Sequence, residues 1–317
     1  MKVIEHIKNA KQTLFSFEIL PPLKGTSIDS IYNTLDPLME FNPSFIDVTY
    51  HREEYVYKNR KDGLLERISV RKRPGTVGIC AAIMNKYDVD TVPHIICGGF
   101  NKEVTENALI DLDFLGIDNV LALRGDPIKS ETYFTPEEDG HKYASELLGQ
   151  VHNMNNGIYL DEDLKNSAPT NFCIGVAGYP EKHFEAANME SDIHFLKKKV
   201  QAGADYIVTQ MFFDNQKYFD FVKLCRENDI DVPIIPGLKP ISTEKQLTLL
   251  PHRFNLNLPN ELVDEVLKCK SNEEVRQVGV EWAINQTKEL IEFGAPCVHF
   301  YTMGRSDNVQ QIVGSFS

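Results

Sequence analysis

The stretch Leu14-Phe15-Ser16-Phe17-Glu18-Ile19-Leu20-Pro21-Pro22 is an apolar run that carries one carboxylate near its end and leaves through two prolines. In mid-chain, Leu121-Ala122-Leu123-Arg124-Gly125-Asp126 has the same form, an apolar run that stops at a carboxylate. Nearly continuous apolar runs, as opposed to alternating ones, mark strands covered on both faces, as parallel strands are between layers of helix. Comparable runs occupy residues 45–50, 92–97, 172–177, 206–213, 232–236 and 297–301, giving eight in all with 14–20 and 120–123. Amphipathic stretches lie between them at 27–40, 102–115, 191–202, 216–227 and 272–293. Eight strands alternating with helices predict a closed (β/α)8 TIM barrel, an α/β fold that the 317 residues fill as a single domain, 1–317. In such a barrel the loops after the strands build the active site, so Glu18 and Asp126 are expected at one mouth.

Two features depart from a regular repeat. An extra helix is expected around 78–87, between the second and third strands, and residues 127–140 and 153–170 read as long polar loops. Such loops are more often functional or mobile than structural. Gly203 in Ala202-Gly203-Ala204-Asp205 reads as a helix stop, since glycine adopts the left-handed cap without steric cost. Asn42-Pro43 ends the first long helix, because proline disfavours a helical residue before it.

With 46 acidic against 33 basic residues, the formal charge of -13 argues against nucleic acid or an anionic membrane as a partner. Positive charge is clustered in Arg71-Lys72-Arg73 and Lys197-Lys198-Lys199, which leaves room for an anionic cofactor. The six cysteines are scattered and form no C-x-x-C pair, so neither a metal site nor a disulfide framework is indicated. The polar start after Met1 carries no long apolar stretch, so no secretory signal and no membrane span are expected, and a reducing cytoplasm fits.

Several polar groups stand at the ends of the apolar runs. Glu18, flanked by Phe17, Ile19 and Leu20, is either a loop-edge glutamate or a carboxyl whose pKa is raised by apolar neighbours into the range of a general acid. Arg124-Gly125-Asp126 is either a surface turn or a place where glycine lets the backbone approach a ligand. Gln210 is an amide inside an apolar run, where a polar group without partners costs about 1–3 kcal/mol, so a ligand or a core network must satisfy it. Thr49 and His94 are further strand-end polar groups, although a lone histidine is more often a satisfied core residue. Tyr179-Pro180-Glu181-Lys182-His183 offers an aromatic face, a donor and a cation. The triple lysine reads as a solvated helix face with one lysine turned inward. Neither G-x-G-x-x-G nor G-x-x-x-x-G-K-[ST] occurs, so any nucleotide is bound without those cradles.

Taken in order, Phe17-Glu18 with Pro21-Pro22, Val48-Thr49-Tyr50, Pro93-His94, Ala122 to Asp126, Tyr179-Pro180-Glu181 with His183, Thr209-Gln210, Ile235-Pro236-Gly237 and His299-Phe300-Tyr301-Thr302 resemble the methylenetetrahydrofolate reductase family. The resemblance implies a barrel holding FAD and reducing 5,10-methylenetetrahydrofolate to 5-methyltetrahydrofolate with NAD(P)H by a ping-pong route. It also implies a homo-oligomer, a dimer or tetramer, in a catalytic-barrel form without the regulatory domain of eukaryotic relatives. It makes Glu18 the general acid, sets Asp126 by the flavin ring and the folate pterin, and makes Gln210 a substrate contact. Thr49, His94, Arg124, Gly125, Asp126, Ala177, Tyr179, His183, Asp192, Lys198, Lys199 and Ala204 are implied to bind FAD. Departures from the family pattern are Ile19 and Leu20 after the glutamate, Phe195 for an asparagine, Lys198 for an arginine and Glu244 for a phenylalanine. Two rival readings remain open: another flavin barrel such as a proline-dehydrogenase-like enzyme, and a non-catalytic flavin- or pterin-binding barrel.

Overall fold

The computed structural model describes residues 1–128 and 131–316. In chain order the elements are α1 (Val3–Asn9), β1 (Leu14–Ile19), α2 (Asp29–Met39), β2 (Phe45–Val48), β3 (Glu54–Asn59), β4 (Leu65–Val70), α3 (Thr76–Tyr87) and β5 (Asp90–Ile96). There follow α4 (Lys102–Phe114), β6 (Asn119–Leu123), α5 (Ala144–Asn155), β7 (Cys173–Gly178), α6 (Met189–Gln201), β8 (Tyr206–Thr209) and α7 (Asn215–Glu227). The rest are β9 (Ile234–Ile235), β10 (Gly237–Leu238), α8 (Gln246–Phe254), α9 (Asn260–Lys268), α10 (Asn272–Phe293), β11 (Cys297–Tyr301) and α11 (Asp307–Gly314).

All neighbours in the main sheet, ordered β10-β11-β1-β2-β5-β6-β7-β8-β9, are parallel. β9 and β10 are separated by Pro236 alone, whose carbonyl accepts from the His299 amide at 2.9 Å. They are two halves of one strand interrupted by a residue with no N–H to give. That strand joins β8 to β11, so the nine short segments occupy eight positions of a closed (β/α)8 ring. Phe45, Val92, Leu121, Cys173, Tyr206, Val208, Ile235 and Cys297 point inward as one buried cluster. The opposite strand faces, with Phe17, Ile46, Val48, Ile95, Ala122, Ile174 and Val298, pack on the helices. This two-sided burial is what the unbroken apolar runs required. Helix α1 closes the N-terminal end: Val3 is buried against the interior cluster and its amide donates to Asn119 Oδ1 at 2.9 Å.

Interior packing depends on one pair. A Cβ on Gly175 would lie 2.4 Å from the ring of Tyr206, which is fully buried and crosses the barrel beside it.

Four expectations need correction. The helix near residues 78–87 is no extra element: α3 is the ordinary connection from β2 to β5, and the inserted element is the antiparallel hairpin β3–β4. The apolar run 206–213 outlasts its strand, since β8 ends at Thr209 and Met211, Phe212 and Phe213 are buried against helices instead. Of the expected polar loop 153–170, residues 153–155 finish α5 and 156–170 lie before β7, at the end opposite the mouth. There the Tyr159 hydroxyl donates to the Ala168 carbonyl at 2.8 Å and the Leu160 amide to Glu106 Oε2 at 2.8 Å, a structural connection. Gly203 does terminate α6, at φ +109°, but Ala204 beside it is buried before β8 at that same far end.

Candidate active site

Glu18 sits at the C-terminal end of β1, its backbone carbonyl accepting from the Thr302 hydroxyl at 2.7 Å and the Thr302 amide at 3.2 Å. Parallel register sets it beside Asp47 of β2 and Tyr301 of β11. His94 of β5 reaches between the two carboxyls, with Nε2 3.6 Å from Glu18 Oε2 and 3.4 Å from Asp47 Oδ2. The Glu18 side chain is 13% exposed and that of Asp47 0%. Burial pushes the Glu18 carboxyl up to about 7; His94 opposes that shift and Asp47 adds to it. Burial likewise raises Asp47 to about 6, against the pull of His299, and holds His94 and His299 below the ordinary imidazole value. A carboxyl that titrates near neutrality can hold a proton and give it up.

Across the mouth, Gly125 takes φ +83° immediately after β6, where a side chain would press to 3.2 Å from Ile96, and so turns the chain out to Asp126. Asp126 is exposed, and its charge is felt by His51 and Tyr179, while His51 also feels His94. Glu18 and Asp126 therefore share one opening, as expected. Arg124 pairs with Glu185 at 2.5 Å and lies 5.2 Å from the Phe134 ring centre, on the loop after β6. Arg52 holds the same loop through Glu131 and lies 5.7 Å from the centre of that ring. Within the expected 127–140 loop, Lys129 and Ser130 lie outside the described residues.

The β7 side carries the remaining expected groups. Tyr179 and His183 meet edge to face at 4.7 Å, and the His183 amide donates to Asp192 Oδ2 at 2.8 Å, which ties the loop to the first turn of α6. Lys199 is the lysine that turns inward, donating to the Ala177 carbonyl at 2.6 Å; burial lowers its pKa to about 8. Lys197 pairs with Asp229 at 2.9 Å, and Lys198 lies 5.4 Å from the ring centre of Phe195, which is 57% exposed. Gln210 follows β8 and is half-buried, and its oxygen accepts from the Met211 amide at 3.0 Å. Its expected burial inside a strand is thus corrected: the turn, not a ligand, satisfies that oxygen. Ala204 is the one expected residue far from this opening.

Sequence reading missed Asp47, His299 and Ser16. Ser16 Oγ lies 2.8 Å from His299 Nδ1, and His299 Nδ1 lies 4.0 Å from Asp47 Oδ1, all three fully or almost fully buried. The signal was present: an aspartate between Ile46 and Val48, in phase with inward Phe45, has nowhere to go but the barrel interior.

A family model described as methylenetetrahydrofolate reductase matches residues 2–317. The chain belongs to the methylenetetrahydrofolate reductase family. Methylenetetrahydrofolate reductase 1 of Schizosaccharomyces pombe is 33% identical over 305 residues, covering 96% of this chain and 46% of that protein. The 5,10-methylenetetrahydrofolate reductase of Pectobacterium carotovorum is 29% identical over 295 residues, covering 92% of this chain and 86% of that protein. The chain thus spans about half the length of the fungal relative of this family and most of the bacterial one. A solved structure of an uncharacterized protein from Clostridium thermocellum, which binds two copies of 5-methyl-5,6,7,8-tetrahydrofolic acid, superposes with TM-score 0.54 at 14% identity, covering 98% of this chain and 96% of that one. That likeness bears on the barrel architecture alone. Among the described residues no helix is long and apolar enough to cross a membrane.

Proposed function

We propose that this chain reduces 5,10-methylenetetrahydrofolate to 5-methyltetrahydrofolate, using FAD and NAD(P)H in two alternating half-reactions. The observation that carries the reading is Glu18, a carboxyl protonatable near neutrality at the barrel mouth, with the exposed Asp126 on the facing loop. The residues present fit an FAD. Thr49 Oγ1 is buried with no hydrogen-bond partner among the described residues, a donor free for an acceptor on a ligand. Arg124, Lys198 and Lys199 supply cations for a pyrophosphate, and Tyr179, His183 and Asp192 a tied polar wall. These would hold the cofactor together with Thr49 and His94.

Bound FAD supplies the two-electron carrier chemistry that joins the half-reactions. Hydride can reach the methylene carbon only after the five-membered ring joining N5 and N10 opens to an iminium cation, and opening needs a proton on the departing nitrogen. Glu18 gives that proton. Asp126 stabilises the cation electrostatically and does not itself carry a proton. The balance is one hydride and one proton added to the folate per nicotinamide oxidised.

The test is spectroscopic. Purified protein should be yellow or take up added FAD, bleach with NADH or NADPH, and recover its colour with methylenetetrahydrofolate. No flavin uptake would sink the reading; bleaching without folate-driven recovery would favour another flavin oxidoreductase. Asp126→Asn removes a charge and keeps the shape. It should raise the flavin potential and slow folate reduction by roughly 10²–10³-fold, the cost of losing one electrostatic stabiliser, with flavin still bound. An unchanged potential would remove Asp126 from the neighbourhood of the ring.

A further inference from the structure

Below Glu18 the barrel interior holds a polar column in which, His94 apart, no group is used by the proposed chemistry. Both Asp47 oxygens, His94 Nε2 and His299 Nε2 are buried and make no hydrogen bond to any described residue. A buried carboxylate without hydrogen bonds costs several kcal/mol of desolvation and is not kept for stability alone. Its surroundings are fully specified. His94 stands between Asp47 and Glu18; His299 and Ser16 lie beneath; Tyr301, Tyr206, Cys80 and Cys297 feel the charge of Asp47; and His51 faces His94 from the mouth. Among the described residues no lysine or arginine acts on Glu18 or Asp47, so there only the two imidazoles can offset negative charge. A proton leaving Glu18 would put two carboxylates on either side of one imidazole nitrogen.

We propose that Asp47 is a positioning residue that adds to the hold on the Glu18 proton at neutral pH, by placing a negative charge on the adjacent strand, across the shared imidazole of His94. Glu18 is then recharged after each folate turnover because the deprotonated pair is the costly state, and His94 holds the two carboxyls at fixed separation. This rests on the folate-reducing role of Glu18 proposed above, but its test is separable from it.

Asp47→Asn keeps the shape and removes the charge. The alkaline limb of folate-driven flavin reoxidation should move to lower pH, the direction that loss of a nearby like charge requires. Flavin reduction by the nicotinamide nucleotide should stay near the parent value, and reoxidation should recover toward it once pH is brought below the displaced limb. Isotope-edited infrared titration of the Glu18 carboxyl, without any substrate, should show the same downward displacement. An unmoved limb and an unmoved carboxyl titration in a folded Asp47→Asn protein overturn the proposal. Should that variant not fold, Asp47→Ser is measured in the same way, and failure of both to fold assigns Asp47 a structural role and equally overturns it. If the parent protein does not react with folate at all, the reading of the function fails, while the infrared titration still decides the coupling of Asp47 to Glu18.

Discussion

Glu18→Gln should leave flavin reduction by the nicotinamide nucleotide intact and slow reoxidation by methylenetetrahydrofolate by roughly 10²–10⁴-fold, the loss expected when a general acid is removed. Only the folate step breaks a C–N bond that needs a proton, so only that step should respond. Stopped-flow absorbance follows the two steps separately, and reoxidation at the parent rate would make Glu18 structural. The same substitution carries a stability signature of opposite sign. Because burial raises the Glu18 carboxyl from 4.5 to about 7, its contribution to stability is fully present below pH 4.5 and is lost as pH rises through about 7. Glutamine has no charge to bury. The variant should therefore gain on the parent in melting temperature as pH climbs through that window, with no such trend below it.

Gly279→Ala should destabilise the fold by at least the ~1–3 kcal/mol typical of overpacking, although the helix propensity of alanine alone would favour it by about 1 kcal/mol. Gly279 lies in α10, and a Cβ there would sit 1.9 Å from the Ile241 carbonyl oxygen and 2.8 Å from its carbon. The obstacle is backbone, so no rotamer change relieves it. Urea unfolding of the two proteins decides the matter: an alanine variant as stable as the parent would mean that the segment around Ile241 yields freely.

The barrel was legible because the inner strands have one environment on both faces, which writes itself as runs such as Val120 to Leu123. Glu18 and Asp126 were legible for the related reason that a charge closing such a run must face the mouth. The hairpin escaped because β3 and β4 are mostly exposed, with charges such as Glu54, Lys58, Glu66 and Arg67 diluting any pattern; the Asp62-Gly63 turn was its one local signal. Gln210 was misread since burial continues through Phe213 after strand pairing has stopped, and hydrophobicity reports burial rather than hydrogen bonding. Ala204 was assigned by resemblance alone, and direction along the barrel axis, which separates it from Glu18, is not a property of a short motif. Asp47 was overlooked because an acidic residue amid apolar neighbours attracts notice at the end of a run and not within it.

The fit of Tyr206 over Gly175 has a consequence for descent. With the phenol ring 2.4 Å from where a Cβ would stand, the two positions form a single heritable character. A lineage can enlarge residue 175 only after residue 206 has become smaller, and each intermediate passes through an interior with a void. The order of substitution is thereby fixed, and the tyrosine and the glycine hold one another in place across generations.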